Sequence, residues 1–196
     1  MIVEMSTRQM EIIDAAGKIL TNSGVSGLTI KNLAKEMHFS EAALYRHFSS
    51  KEEIIIAMLN FLAENMDQRY TDALVNEKGA VDKFKTIFQN QFSFFSKNPH
   101  FVVAVFSDGL MEESEGINRS IQNIMQVKIK HLMPIILVGQ QNGDFTNAIS
   151  KEELIHVVMG TFRLLMFKWR LSDFTFDIQK HGEKMTESVL TLIQTK

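Results

Sequence analysis

Apolar residues recur at helical spacing in block after block along this chain, and the blocks are separated by residues that cap or break helices. The first block is Ile12, Ile13, Ala16, Ile19 and Leu20. It follows a capping box at Ser6-Thr7-Arg8-Gln9 and ends at Asn22-Ser23-Gly24, with Gly24 in the C′ position. Val25 and Leu28 bridge to a short block, Ile30, Leu33, Ala34 and Met37, which Thr29 is placed to cap. His38-Phe39-Ser40 interrupts the pattern, and Ser40 can cap a third helix whose inward positions are Ala43, Leu44 and Phe48. Glu41, Ala42, Tyr45, Arg46 and His47 fall on or near its other face. Ser50-Lys51-Glu52-Glu53 reads as another capping box, opening one long helix to about Val75. Ile54, Ile55, Met58, Leu59, Leu62 and Met66 form its apolar face, with Glu52, Glu64, Asp67 and Arg69 expected in solvent.

Beyond a loop at 76–79 the pattern stays helical and becomes rich in Phe and Met. Phe84, Ile87, Phe88, Phe92 and Phe95 form one stripe, stopped at Asn98-Pro99, where the next helix starts. Phe101, Val102, Val105, Phe106, Leu110 and Met111 predict a sixth helix. A seventh, after Gly116, carries Ile117, Ile121, Ile124, Met125, Val127, Ile129, Leu132 and Met133, with a kink expected at Pro134. Asn142-Gly143-Asp144 is a turn. Ser150 to Glu153 repeats the capping-box pattern ahead of a helix to about Leu171, and a last helix runs from Phe174 or Phe176 to Leu192. The predicted fold is all-α with about nine helices. A three-helix head over 1–50 is followed by a larger helical bundle over 51–196, and helix 51–75 links them.

Two short helices at a steep angle, the second with a small and polar outer face, form a helix-turn-helix whose second helix fits the major groove. The residues Thr29-Ile30-x-x-Leu33-Ala34, then Ser40, then Leu44-Tyr45-x-His47-Phe48 and Lys51-Glu52 resemble the DNA-binding domain of TetR-type transcriptional regulators. That resemblance implies a dimeric, all-helical regulator, a repressor by sign, with a divergent ligand-binding half. It also implies that Tyr45, His47 and Lys51 clamp phosphates, with Thr29 as a fourth position. The chemistry agrees, since hydroxyl, imidazole and ammonium groups all donate to phosphate oxygens. Ser40, Glu41, Ala42, Ala43 and Arg46 complete the expected DNA-facing set, in which Ala42, Ala43 and Arg46 are candidates for base contact. The chain departs from the family pattern twice. His38 stands where glycine is expected in the turn, and Glu41 places a carboxylate where the recognition helix first meets DNA, either to accept from a cytosine amino group or simply to favour the helix N-terminus.

Composition narrows the function. The chain has 196 residues, 45% apolar, with two prolines, ten glycines and no cysteine, so disulfides and cysteine-ligated zinc are excluded. No apolar run approaches the ~18 residues of a membrane span. The net charge is −2, and residues 1–52 hold six basic and six acidic groups, so a cationic surface depends on placement. The six histidines are scattered, metal-ligand spacing is missing, and neither a Gly-rich phosphate loop nor a G-x-S-x-G elbow is present. No enzyme, metal or cofactor is expected. The apolar surplus serves either as core or as the lining of a cavity for a hydrophobic or amphipathic effector, for which Phe84, Phe88, Phe92, Phe106, Met125, Phe162, Met166 and Trp169 are candidates. The expected partners are a palindromic double-stranded operator, a small-molecule effector and a second copy of the chain, without a membrane, in the cytoplasm at the nucleoid of a prokaryote. The alternative is a DNA-organising factor of the same fold without an effector.

Overall fold

The computed structural model describes residues 5–107, Leu110 and 114–195. Met111, used above, lies outside the described residues. These contain nine α-helices, at Thr7–Gly27 (α1), Ile30–Glu36 (α2), Glu41–Tyr45 (α3), Lys51–Leu74 (α4), Ala80–Lys97 (α5), His100–Val105 (α6), Glu115–Gln141 (α7), Lys151–Leu171 (α8) and Ile178–Ile193 (α9). The all-α expectation is met. By contact the chain divides into two compact units, Met1–Leu62 with Pro99–Ile124, and Ala63–Asn98 with Met125–Lys196.

In the first unit, Ser6 and Gln9 form the expected reciprocal cap of α1. Gly24 has a positive φ of +65°, but its ψ of −169° is extended and not that of a C′ cap, and the helix resumes after this kink and ends at Gly27. Ile12, Ile13, Ala16, Leu20, Leu28, Leu33, Leu44 and Phe48 are all buried, so the apolar stripes of the first three helices converge on one small core. At about 1.5–3 kcal/mol for a large side chain, this burial rather than helix propensity holds such short helices. Helix α6 closes on α1, with the His100 ring against Gly17, and Phe61 stacks on Phe101 at 6.1 Å. Burial lowers the His100 pKa, and its Nε2 has no hydrogen-bond partner among the described residues.

The second unit is organised by phenyl rings. Phe84, Phe88, Phe92 and Phe95 of α5 are buried, and Phe162 of α8 meets Phe88 at 5.9 Å and Phe92 at 5.6 Å between centroids. Phe145 joins Phe84 at 6.1 Å. Helix α9 packs against α5 at Gly182, where a Cβ would lie 2.3 Å from the Phe92 ring. Any larger residue there would force the two helices apart. Tyr70, fully buried, donates from its hydroxyl to Gln91 Oε1 at 2.7 Å, which satisfies two polar groups inside the core.

Besides the later end of α1, four details differ from the sequence expectation. Helix α6 ends at Val105, short of Phe106 and Leu110. Helix α7 continues seven residues beyond Pro134, whose ring sits on the exposed side. The last helix starts at Ile178 and not at Phe174 or Phe176, because Asp173 and Phe174 have φ of +51° and +60° and Asp177 is the N-cap, accepting from Gln179 N and Lys180 N. The fourth difference is at the start of α4. Ser50 Oγ accepts from Glu53 N at 3.1 Å as expected, but the Glu53 carboxylate turns back to Ser49, accepting its hydroxyl at 2.7 Å and its backbone N–H. The backbone bond first and the hydroxyl second hold Glu53 below the ordinary carboxylate pKa.

Candidate nucleic-acid interface and effector region

The helix-turn-helix owes its geometry to three local devices. Thr29 Oγ1 accepts from Asn32 N at 3.1 Å and Ser40 Oγ from Ala43 N at 3.1 Å, so each short helix has a side-chain cap. Between them the turn closes as a Schellman motif, with Phe39 N donating to Ala34 O at 2.8 Å and His38 N to Lys35 O at 3.2 Å. His38 occupies the left-handed position of that motif at φ +55°. Of the two ways to build this turn without glycine, the chain uses the one that places histidine in the strained region. The geometry of a glycine turn is therefore kept.

These devices fix which side chains α3 presents. Leu44 and Phe48 are buried, while Glu41, Ala42, Tyr45 and Arg46 are exposed, Tyr45 at 52%. Ala43, His47 and Lys51 are half-buried, and the His47 carbonyl accepts from Gln9 Nε2 at 3.5 Å, which ties the end of the recognition segment to α1. Lys31 and Lys35 are exposed on α2. Thr29 and Ser40 spend a lone pair on capping, so each hydroxyl proton remains able to donate to a phosphate oxygen. Arg8 pairs with Glu11 and lies over the Phe39 ring at 5.0 Å.

The expected effector-lining residues divide. Phe84, Phe88, Phe92, Phe162, Met166 and Trp169 are buried in the second unit. Phe106 is half-buried in the first unit, and Met125 is 45% exposed. Trp169 has a structural task as well: its indole N–H donates to Phe176 O at 2.9 Å and Phe174 meets its ring edge-on at 4.8 Å. Two cationic residues lie where the sequence did not place them, Lys128 having gone unnoticed and Arg69 having been expected in solvent. Lys128 is 3% exposed, and its ammonium lies 3.1 Å from the Phe162 centroid and 5.1 Å from that of Phe88. Arg69, expected in solvent, is half-buried. It donates from Nε to Asn65 Oδ1 at 2.7 Å and from Nη1 to Asn90 Oδ1, and stacks 4.1 Å from the Phe94 centroid. Only its position on the apolar-facing side of a long helix could have marked Lys128, four residues before the buried Leu132. Among the described residues no cluster of His, Asp or Glu has the arrangement of a metal site, and no helix is long and apolar enough to cross a membrane.

Comparison with known proteins agrees with this geometry. The family model described as bacterial regulatory proteins, tetR family, matches residues 12–58, and that of the YsiA-like protein C-terminal region matches residues 58–194. The nucleoid occlusion factor SlmA of Vibrio cholerae is 31% identical over 120 residues, and the chain spans only 61% of the length of that relative. SlmA of Vibrio vulnificus is 30% identical over 91% of this chain and 92% of its own. The fold is shared with FadR from Bacillus subtilis in complex with stearoyl-CoA, at a TM-score of 0.81 and 19% identity over 93% of this chain and 97% of that one. It is shared also with FadR from Bacillus halodurans, at a TM-score of 0.85 and 16% identity over 95% and 96%. The chain thus belongs to the tetR family of bacterial regulatory proteins and is a helix-turn-helix transcriptional regulator.

Proposed function

We propose that this regulator binds a palindromic operator as a homodimer in the cytoplasm, and that a small hydrophobic or amphipathic effector held by the second unit releases it, so that it acts as a repressor. The observation that carries the DNA reading is the exposed face of α3, Glu41, Ala42, Tyr45 and Arg46, set on a capped helix-turn-helix whose Leu44 and Phe48 are locked in the core. In this reading Tyr45, His47, Lys51, Thr29 and Ser40 position the duplex through phosphates, while Glu41, Ala42, Ala43 and Arg46 approach base edges. Dimerisation is supported by α8, where Val157, Leu164 and Leu171 recur every seven residues on an exposed stripe, with Phe167 beside them and Leu192 exposed on α9. Paired recognition helices would then meet successive major grooves ~34–36 Å apart.

The effector class follows from the relatives and the rings together. The similar structure from Bacillus subtilis holds stearoyl-CoA, and this chain lines the second unit with Phe84, Phe88, Phe92, Phe162 and Met166. A long acyl chain is the ligand we propose for that lining. Its effect on DNA needs a preference for one state over the other, and α4, uninterrupted from Lys51 to Leu74, is the element through which we propose it acts. The test is binding to promoter fragments across a salt series, with and without acyl ligands. Affinity should fall steeply with salt and should be lost in Tyr45→Ala/Lys51→Ala with the helical signal intact. Salt-independent binding, or full binding by the double variant, would sink the DNA face.

The 30% identity to a nucleoid occlusion factor favours a second reading, a DNA-bound factor without a small-molecule effector. Dispersed chromosomal sites whose occupancy no acyl ligand changes would select it.

A further inference from the structure

The second unit carries a groove of about 460 Å³ between α4 and α5, rich in hydrogen-bond donors and positive charge. Arg69 of α4 borders it, and α5 contributes Thr86, Gln89, Asn90, Ser93 and Lys97. Thr86, Asn90, Ser93 and Lys97 keep to one face of α5, so the groove follows that helix for roughly 16 Å at 1.5 Å per residue. Two cations line it and no carboxylate does. Glu77 stands at its margin, accepting the Thr86 hydroxyl at 3.1 Å, about one helical turn from Asn90.

The setting of Arg69 explains the excess of donors. Asn65 Oδ1 accepts from its Nε at 2.7 Å, Asn90 Oδ1 accepts from its Nη1, and the Phe94 ring centroid lies 4.1 Å away. Two amides and a ring face therefore hold the guanidinium in one orientation without neutralising it. Its Nη2 is buried and has no hydrogen-bond partner among the described residues. Because Asn90 gives its oxygen to Arg69, the two N–H donors of its amide remain. Among the described residues neither Arg69 nor Lys97 forms an ion pair. A half-buried cation that is oriented but not matched bears its desolvation cost until an anion completes it.

We propose that this groove is a phosphate-binding site, in which one phosphate group is seated against Arg69, Asn90 and Ser93, with Lys97, one turn beyond Ser93, as the second cation. Guanidinium, amide, hydroxyl and ammonium donors together exceed what the two oxygens and single charge of a carboxylate can use. A phosphate monoester brings three terminal oxygens and a charge of about −1.5 to −2. The volume admits a small phosphorylated molecule as well as the free ion. The site is separate from the acyl lining proposed above, since none of Phe84, Phe88, Phe92, Phe162 and Met166 borders the groove.

The experiment titrates the purified, isotope-labelled full chain with inorganic phosphate, ADP and adenosine. Affinity is read by calorimetry, and location by the Arg69 Nε–H and Ser93 amide resonances. Both phosphates should shift those two signals, and ADP should bind at least about tenfold more tightly than adenosine. Lys97→Ala, a change at an exposed side chain, should weaken ADP several-fold and leave adenosine unchanged. Arg69→Gln should weaken ADP further, and Arg69→Lys, which keeps the charge without the planar fork, should recover only part of the loss. ADP binding tighter than inorganic phosphate assigns the site to a phosphorylated small molecule, and equal affinities assign it to the free ion. Equal affinity for ADP and adenosine overturns the site, as does binding of neither phosphate at about 10 mM, ten times a millimolar Kd. Undiminished ADP binding by both Lys97→Ala and Arg69→Gln with normal helicity overturns it too. If ADP binding is instead lost in Lys51→Ala, the anion sits on the head and the groove is not its site.

Discussion

The helix-turn-helix and the aromatic bundle of the second unit use polar chemistry in opposite ways. In the head, the groups proposed to meet DNA stand on the outside of an apolar core: Leu33, Leu44 and Phe48 are buried, and Tyr45, Arg46 and Glu41 face solvent. In the second unit the unusual groups are inside, with Lys128, Gln91 and Thr186 buried and Arg69 half-buried among phenyl rings. The head can therefore change its outward residues at little cost to folding. The bundle ties its chemistry to its stability, because each interior polar group is either matched or costly.

That difference makes its largest prediction. Phe88→Ala removes a ring that touches Phe84, Phe92 and Phe162, and should cost about 3–5 kcal/mol in urea unfolding. Tyr45→Ala, on the exposed face of α3, should stay within about 0.5 kcal/mol of wild type while weakening DNA retention. Should Tyr45→Ala prove as destabilising as Phe88→Ala, the separation between the two regions would disappear.

Lys128→Met is the next test, and it sharpens the bundle's side. Without ligand it should raise the melting temperature, since a desolvated cation gives way to an apolar chain of similar length. The pH dependence has a definite sign. Folding lowers the Lys128 pKa, so the unfolded chain binds its proton more tightly and stability rises with pH up to the unfolded value of 10.5. The advantage of Lys128→Met should shrink as pH approaches 10.5. A gap constant from pH 7 to 10.5 would mean that the lysine's charge is not what distinguishes the two proteins. Arg69 is the charged group whose influence is resolved at Lys128, so Arg69→Met should move this profile too.

The same contrast explains what could be read from the sequence. Every helix of the head was legible, as were its caps at Ser6, Thr29 and Ser40, because capping is a local matter of one hydroxyl and one N–H. The apolar stripe of α5 was equally plain. Lys128 and Arg69 were not, since period and composition place lysine and arginine in solvent, and only packing by helices distant in sequence buries them. The start of α9 was missed for a related reason. Phe174 reads as helix, but it is pinned against Trp169 with a positive φ, a tertiary contact overriding a local preference. Among the expected lining residues, Met125 failed to be interior because a helical stripe says which residues share a face and not how far a neighbour covers it.

His38 is the one place where the head itself carries strain, and it yields a smaller prediction. A non-glycine residue at φ +55° costs roughly 1–2 kcal/mol relative to the right-handed region. His38→Gly relieves that but loosens the unfolded chain, so the net gain should be about 0.5–1 kcal/mol with DNA binding retained. His38→Val, β-branched in the same position, should lose stability. If glycine is neutral and valine harmless, the turn does not hold the left-handed geometry.

The smallest effect is expected at a surface cluster of the second unit, where polar groups behave as they do in the head. Asp67 accepts from Lys130 Nζ at 2.8 and 2.9 Å and meets His131 Nε2 at 2.6 Å. The Lys130 bond, foremost, holds its pKa below the ordinary 3.8, although desolvation opposes it. Since folding lowers this pKa, the stabilisation is present above 3.8 and disappears as pH falls through the lower folded value. With the Asp67 side chain 37% exposed, screening keeps the cluster within about 0–1 kcal/mol. Asp67→Asn should therefore cost little at pH 7, and its melting curve should rejoin that of wild type below pH 3.8. A large loss at neutral pH would show that this pair is coupled to the interior, where Tyr70 meets the His131 ring edge-on at 5.4 Å. The division between exposed and buried chemistry would then run inside the bundle, between Asp67 and Tyr70.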